Sequence, residues 1–455
     1  MSAPVVERAG RHRWRRAWAG HDFRRLWAVR LLGQAGDGAF QVSLAAYVLF
    51  DPTQQATAGR VAAAFAVLLL PYSLVGPFAG VLLDRWRRRQ VLLGANAVRA
   101  VVVVGVALVV ASGLPEIALV VPALAVLSVN RFVLSGLSAA LPRVVPRDTL
   151  VLSGSVTTTS GAGATLVGGL VGLVVQQVVE RAGTGGEAVA PSSAVAAGGA
   201  TAALVGAGLY ALAALAAARI APDRLGPDDP PSDDVSTALR TAWARVAEGA
   251  RHLGRHPAGS AALAVITAHR FFYGLSFVLT LLLYRNFFRD PADTGGALSG
   301  LAVVVVATAA GGLVGAVLTP RAAVRLGTVR WVVVLLAVAA VTEVVLGLPF
   351  TEPAVVGAAF VLAVVAQGMK VCVDATLQDV VEDAYRGRVF AFYDIVFNVA
   401  FVAAAATGAL VLPDDGKSHA VIGVVAAGYA ACCLAYAAAS RRIDEVRAAE
   451  RAGVA

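Results

Sequence analysis

Uninterrupted apolar runs recur along this chain almost from end to end. Two of them, Val101 to Ala111 and Val332 to Val341, reach or pass the upper limit of strands in soluble cores, which are usually about 3–10 residues long. A chain patterned this way folds into membrane helices. Composition agrees: 58% of residues are hydrophobic, 15% are charged and the mean hydropathy is +0.74, whereas a soluble domain carries about 25% charged residues. With 455 residues there is room for roughly a dozen spans of about 20 residues and short connections. Spans are expected near 26–50, 60–83, 90–112, 117–141, 150–178 and 194–218, then near 260–287, 295–319, 328–348, 353–377, 387–412 and 418–440.

The arginines orient these spans. The N-terminal tail holds Arg8, Arg11, Arg13, Arg15, Arg16, Arg24 and Arg25. Connections after even-numbered spans hold Arg85 to Arg89, Arg143, Arg147, Arg321, Arg325, Arg330, Arg386 and Arg388. The opposite loops hold only Arg60, Arg181, Arg285, Arg289 and Lys417. That bias predicts a cytoplasmic tail and basic loops, with both termini inside. It also accounts for the net charge of +9 without nucleic acid, because the cations punctuate apolar runs and form no single face. Cys372, Cys432 and Cys433 lie in apolar runs with no metal-ligand spacing, as free thiols among helices would. No cleavable signal peptide is expected from the Arg-rich first 25 residues. No Gly-rich Lys-Ser/Thr loop occurs, which argues against direct nucleotide drive.

The longest connection, 219–258, divides the spans six and six. Pro222, Pro227, Pro230 and Pro231 interrupt its first part. Val235, Leu239, Trp243, Val246, Ala250 and Leu253 then recur at helical spacing between arginines, which predicts an amphipathic helix at the cytoplasmic interface. It is either a tether between halves or a regulatory element. The expected organisation is a basic tail 1–25, a first half 26–218, the linker 219–258, a second half 259–440 and a tail 441–455.

Residues 80 to 92 read Gly-Val-Leu-Leu-Asp-Arg-Trp-Arg-Arg-Arg-Gln-Val-Leu between two apolar runs. So many charges cannot sit in hydrocarbon, so this is a water-facing hairpin. It resembles the loop between the second and third helices of major facilitator transporters, Gly-x-x-x-Asp-Arg-x-Gly-Arg-Arg. Gly80, Asp84, Arg85, Arg88 and Arg89 match, and Arg87 replaces the usual glycine. Gly315-Ala-Val-Leu-Thr319-Pro320-Arg321 echoes the motif after the eighth span, with Thr319 in place of the acid. The resemblance implies an all-α membrane fold of twelve transmembrane helices in two pseudo-symmetric six-helix halves. It also implies a latch in which Asp84 docks on the start of the eleventh span near Gly387 and Arg388. Helix N-termini favour an anion by about 0.3–1 kcal/mol. The alternative role of this loop is simply to set topology.

Phe23-Arg24-Arg25-Leu26-Trp27 before Gly33-Gln34-Ala35-Gly36-Asp37, and Arg386-Gly387-Arg388-Val389-Phe390-Ala391, resemble the macrolide-efflux and enterobactin-exporter type within that family. Two antiporter features are altered. The Gly-Pro-x-x-Gly-Gly run of the fifth helix becomes Ala164-Thr165-Leu166-Val167-Gly168-Gly169, although Gly161, Gly163, Gly168, Gly169 and Gly172 keep a close-packing face. Arg131 is followed by Gly136, one residue later than in the Arg-x-x-x-Gly pattern.

Charged residues inside spans cost about 2.5–3.5 kcal/mol each even on lenient scales, so each is a candidate for function. Asp37, flanked by Gln34 and Gln41, is expected in a polar cavity as a proton-coupling or substrate group. Its alternative is a structural hydrogen bond. Arg131 is the expected cation beside it or an interhelical clamp, and Arg99 reads as structural. Lys370 and Asp374, four apart, share a face as an ion pair. Asp394 with Asn398 is a second protonation candidate or an interfacial pair. Glu343 is expected to snorkel near the outer end of the ninth span. His269 and Arg270, beside Phe271, Phe272 and Tyr273, would contact a planar amphipathic substrate or pack as aromatic core.

The function expected is secondary transport by alternating access: export of an amphipathic small molecule (drug, macrolide or siderophore-like) from a bacterial cytoplasmic membrane. Protons are the expected coupling ion, the chain a monomer, and no cofactor, metal or nucleic acid is expected. A metabolite importer or lipid flippase of the same fold, or a non-transporting scaffold, are the alternatives. No Ser/His/Asp set or ligand cluster emerges, so an enzyme is not expected.

Overall fold

A computed structural model describes residues 18, 20–49, 59, 86–112, 117–146, 149–183, 191–226, 235–289 and 294–453. The expected second span, with Gly80, Asp84 and Arg85, lies outside the described residues, as does Arg147. The rest is helical throughout: α1 His21–Leu49, α2 Arg88–Ala111, α3 Ile117–Val144, α4 Leu150–Gly183, α5 Pro191–Ala218, α6 Val235–Gly254, α7 Pro257–Leu282, α8 Thr294–Leu326, α9 Thr328–Thr342, α10 Glu352–Val380, α11 Asp383–Val411 and α12 His419–Gly453. A π-helical turn extends α7 over Leu283–Phe287, and another extends α9 over Glu343–Gly347.

Among the described residues, ten of these helices are long and apolar enough to cross a membrane. α1 is not one of the ten, because Gln34, Asp37 and Gln41 dilute its apolar run. Its 29 residues still reach about 44 Å at 1.5 Å per residue, more than the roughly 30 Å of hydrocarbon. Large apolar side chains stay uncovered on the outer faces, among them Val101 (72% exposed), Leu410 (87%) and Leu434 (72%). In water such faces would be untenable. In a bilayer they meet lipid, while the helix satisfies its own backbone groups.

The helices form two compact units, one ending at Ala242 and one starting at Trp243. In the first, α1 lies against α4 and α5, and α2 packs on α3 and α5. Close approach is possible because small residues face each other. A methyl group on Gly168 would overlap the Ala35 carbonyl, and one on Gly38 would overlap the Thr165 carbonyl. Gly161 sits against Gln34 and Arg30, Gly172 against Ala39, and Gly169 meets Val42 at ordinary contact distance. Gly163 departs from expectation. A methyl there would meet nothing within 4 Å, so it belongs to an open side of α4 and to no packing face.

In the second unit α8 packs on α10, α7 on α10, α11 and α12, and α9 on α12. α6 packs on the second unit. Its buried stripe is Ala242, Val246, Gly249 and Leu253, and Leu253 joins a cluster with Leu263, Ile266, Leu377 and Val389. Gly249 lets the helix close on the backbone of Arg388, and the His252 ring stacks on Tyr385 at 4.0 Å. Trp243, expected on the apolar face, is 43% exposed, because the buried stripe runs one residue round the helix through Ala242.

Candidate functional site

A deeply buried polar cluster lies in the first unit, around Asp37. Arg99 Nη1 donates to Asp37 Oδ1 at 2.7 Å and to Asn130 Oδ1 at 2.9 Å. Arg99 Nη2 donates to Asn96 Oδ1 at 2.5 Å. Tyr210 donates its hydroxyl to Asp37 Oδ1 at 2.7 Å, and the guanidinium lies 4.2 Å from the Tyr210 ring centroid. Asn130 also hydrogen-bonds the Asp37 carboxylate. The Asp37 side chain is 8% exposed and that of Arg99 0%. One carboxylate therefore ties α1 to α2, α3 and α5. The glycines of α1 make room for it. A methyl on Gly36 would stand 2.8 Å from the Tyr210 ring, and one on Gly33 would stand 3.2 Å from Arg99 Nη2.

This corrects two sequence expectations. The cation on Asp37 is Arg99, from α2, and not Arg131, which is half-buried on α3. Asn130, one residue earlier and about 100° round the helix, is the α3 side chain that reaches the site. Gln34 accepts from Arg30 Nε at 3.0 Å and Gln41 is exposed, so neither joins Asp37. Asn96, Asn130 and Tyr210 were missed in the sequence, and the signal for them is their register with the stripes that the structure buries. On α2 the buried stripe reads Leu92, Asn96, Arg99, Val103, Val106 and Val110. On α3 it reads Ala123, Val126, Leu127, Asn130, Val133 and Leu137, and on α5 Ala203, Ala207, Tyr210, Ala213 and Ala217. A polar residue in register with an apolar stripe faces other helices, and there it needs a partner.

The second unit holds an aromatic cluster. Arg270 of α7 lies 4.4 Å from the Phe397 ring and 4.3 Å from the Phe401 ring, both on α11, with Tyr273 at 5.8 Å. Its neighbour His269 is 2% exposed, stands 5.6 Å from the Tyr429 ring, and makes no hydrogen bond through either ring nitrogen among the described residues. Lys370 pairs with Asp374 at 3.0 Å on the half-exposed face of α10. Asn398 donates to the backbone carbonyl of Asp394 at 2.9 Å, not to its carboxylate, and Asp394 is half-buried. Glu343 does not snorkel. It is 4% exposed and accepts from Ser276 Oγ at 2.6 Å.

Of the expected latch, Arg88 donates to the carbonyls of Ala139 and Leu225, at 3.1 and 3.2 Å, and Arg89 to that of Ala218 at 2.8 Å. Arg89 thus closes the C-terminal end of α5, where carbonyls lack intrahelical partners, while Arg88 reaches a carbonyl within α3 and one in the turn after α5. Arg388 pairs with Glu248 of α6 at 2.9 Å, and Gly387 has open space beside it.

The family model described as Major Facilitator Superfamily matches residues 26–405. The chain belongs to the major facilitator superfamily. This major facilitator transporter is 36% identical over 429 residues to proteins named as uncharacterized MFS-type transporters, one from Mycobacterium bovis and one from Mycobacterium tuberculosis. Each match covers 94% of this chain and 93% of the relative. Among solved structures, a mutant of the nucleoside transporter NupG superposes with a TM-score of 0.65 at 13% identity, over 92% of this chain and all of that one. A bacterial homologue of the human lysosomal transporter Spinster, solved inward-facing and unoccupied, superposes at 0.59 and 14% identity, over 92% and 96%. These likenesses carry the fold. The protein is a multi-pass, all-helical membrane transporter of this superfamily, whose members take small-molecule substrates across a lipid bilayer.

Proposed function

We propose that this transporter is a proton-coupled exporter of an amphipathic small molecule, of the macrolide-efflux and enterobactin-exporter type, in a bacterial cytoplasmic membrane with both termini inside. The supporting observation is the buried Asp37 network. A carboxylate bonded at once by Arg99, Tyr210 and Asn130 holds four helices in one arrangement. A proton on Asp37 removes its charge and weakens the bond to Arg99, since hydrogen bonds between charged groups are roughly twice as strong as neutral ones. Proton binding and release would thereby bias the packing of α1 against α2, α3 and α5, which is what coupling an ion gradient to alternating access requires.

Substrate contact is assigned to Arg270 with its flanking Phe397, Phe401 and Tyr273, near the middle of α7 and α11. A planar apolar body suits such rings. The same reading makes 26–218 and 259–440 the two transporting halves, 219–258 the linker, and 1–25 and 441–455 the tails.

The test is energised accumulation of amphipathic dyes and macrolides in an efflux-deficient bacterium. Wild type is compared with Asp37→Asn, with and without a protonophore. Accumulation should fall with wild type and recover with the variant and with the protonophore. Accumulation equal to that of the empty vector, with membrane expression confirmed, would withdraw the drug-export reading.

A further inference from the structure

Glu343 opens the π-helical turn that ends α9, a local widening of the helix often found at functional sites. That turn falls on the buried stripe Val332, Leu335, Leu336, Ala339 and Thr342, so the carboxylate is directed inward. Its one hydrogen bond among the described residues comes from Ser276, and no Lys, Arg or His among them forms an ion pair with it. The carboxylate borders a cavity of about 50 Å³, to which α7 contributes Tyr273, Ser276 and Thr280 and α8 contributes Thr308. Val304, Val355 and Ile422 close the walls.

Size decides the class of occupant. Organic ligands occupy pockets of about 300 Å³ or more, whereas a water molecule needs about 10–15 Å³. Only a proton, or a small ion with few waters, fits. Charge decides the sign, because an ionised carboxylate buried without a counter-ion costs several kcal/mol. We propose that Glu343 and the hydroxyls of Ser276, Thr280 and Thr308 form a site for one small monovalent cation, H⁺ or Na⁺, inside the C-terminal unit.

The titratable groups that face it include Tyr273 on α7 and Tyr429 on α12. Arg270 is directed to Phe397 and Phe401 instead, and α8 and α10 contribute no ionisable side chain to the cavity. The site stands on this unit alone. It does not depend on Asp37 being the coupling group.

The test uses the full chain in lipid nanodiscs and needs no substrate. Infrared spectra are taken across a pH series, and binding of radioactive sodium is measured, for wild type, Glu343→Gln and Ser276→Ala. A proton site gives a carboxylic-acid carbonyl band that disappears on raising the pH and is lost in Glu343→Gln. Ser276→Ala keeps this band but moves its frequency, because the hydroxyl bonds Oε1. A sodium site gives saturable sodium binding that Glu343→Gln abolishes and protons compete away. An ionised carboxylate at every pH together with no sodium binding would overturn the proposal. So would an acid band that Ser276→Ala leaves unmoved.

Discussion

Replacing Arg99 by methionine should destabilise this transporter more than any other single polar change in the first unit. The side chain is fully buried and its Asp37 partner 8% exposed, so solvent screening offers no relief. Removing one member of such a pair strands the other and costs about 3–5 kcal/mol. Asp37→Asn leaves the Arg99 guanidinium buried without its counter-ion, and falls at the lower end of that range because the amide oxygen still accepts from Tyr210 and Arg99. The double variant Asp37→Asn/Arg99→Met leaves no stranded charge. Its loss should therefore fall short of the sum of the two singles by about 2 kcal/mol or more, well above the roughly 0.6 kcal/mol averaged by hydrogen bonds between membrane helices. Equilibrium unfolding in mixed detergent micelles, followed by circular dichroism, measures all four corners of the cycle. Additivity within about 0.5 kcal/mol would refute the reasoning, because it would mean that the two groups are not coupled in the folded protein.

Gly168→Leu should abolish monodisperse elution from size-exclusion chromatography. The obstacle at its Cβ is the Ala35 backbone, which cannot give way, and overpacking usually costs about 1–3 kcal/mol. Gly163→Ala, facing open space, should be neutral or stabilising by up to about 1 kcal/mol in the same melt. Arg270→Leu forfeits its contacts with Phe397 and Phe401, worth about 0.5–2 kcal/mol each, and Arg270→Lys should fall between it and wild type in thermal stability. Glu248→Ala removes a half-exposed ion pair with Arg388 and should lower stability by less than about 1 kcal/mol, an effect that high salt erases. Leu253→Ala, which truncates a 2% exposed side chain, should cost about 2–5 kcal/mol and release α6 to proteolysis.

Reading the sequence located most described spans to within a few residues, although α8 continues from an expected end at 319 to Leu326 and α12 from 440 to Gly453. α2, predicted over 90–112, runs over Arg88–Ala111, and α11, predicted over 387–412, runs over Asp383–Val411. Hydrophobicity along a span is a local property, and so is the helical periodicity that marked α6. Partner choice is not local. Arg131 and Arg99 look alike in sequence, each a lone cation in an apolar run. Only the rotation of α2 about its axis, set by the packing of Val103, Val106 and Val110, turns Arg99 toward α1.

Glu343 shows the same limit. Its nearness to the end of a span suggested that its carboxylate reaches out of the membrane. The packed α7, with Ser276 at 2.6 Å, holds it inside. Composition and apolar periodicity alone determined a polytopic membrane protein, the approximate extent of most of its helices and some of the residues worth suspecting. Which of those residues meet was decided by tertiary packing. A helix satisfies its backbone from its own sequence, but a buried side chain finds its partner only on another helix.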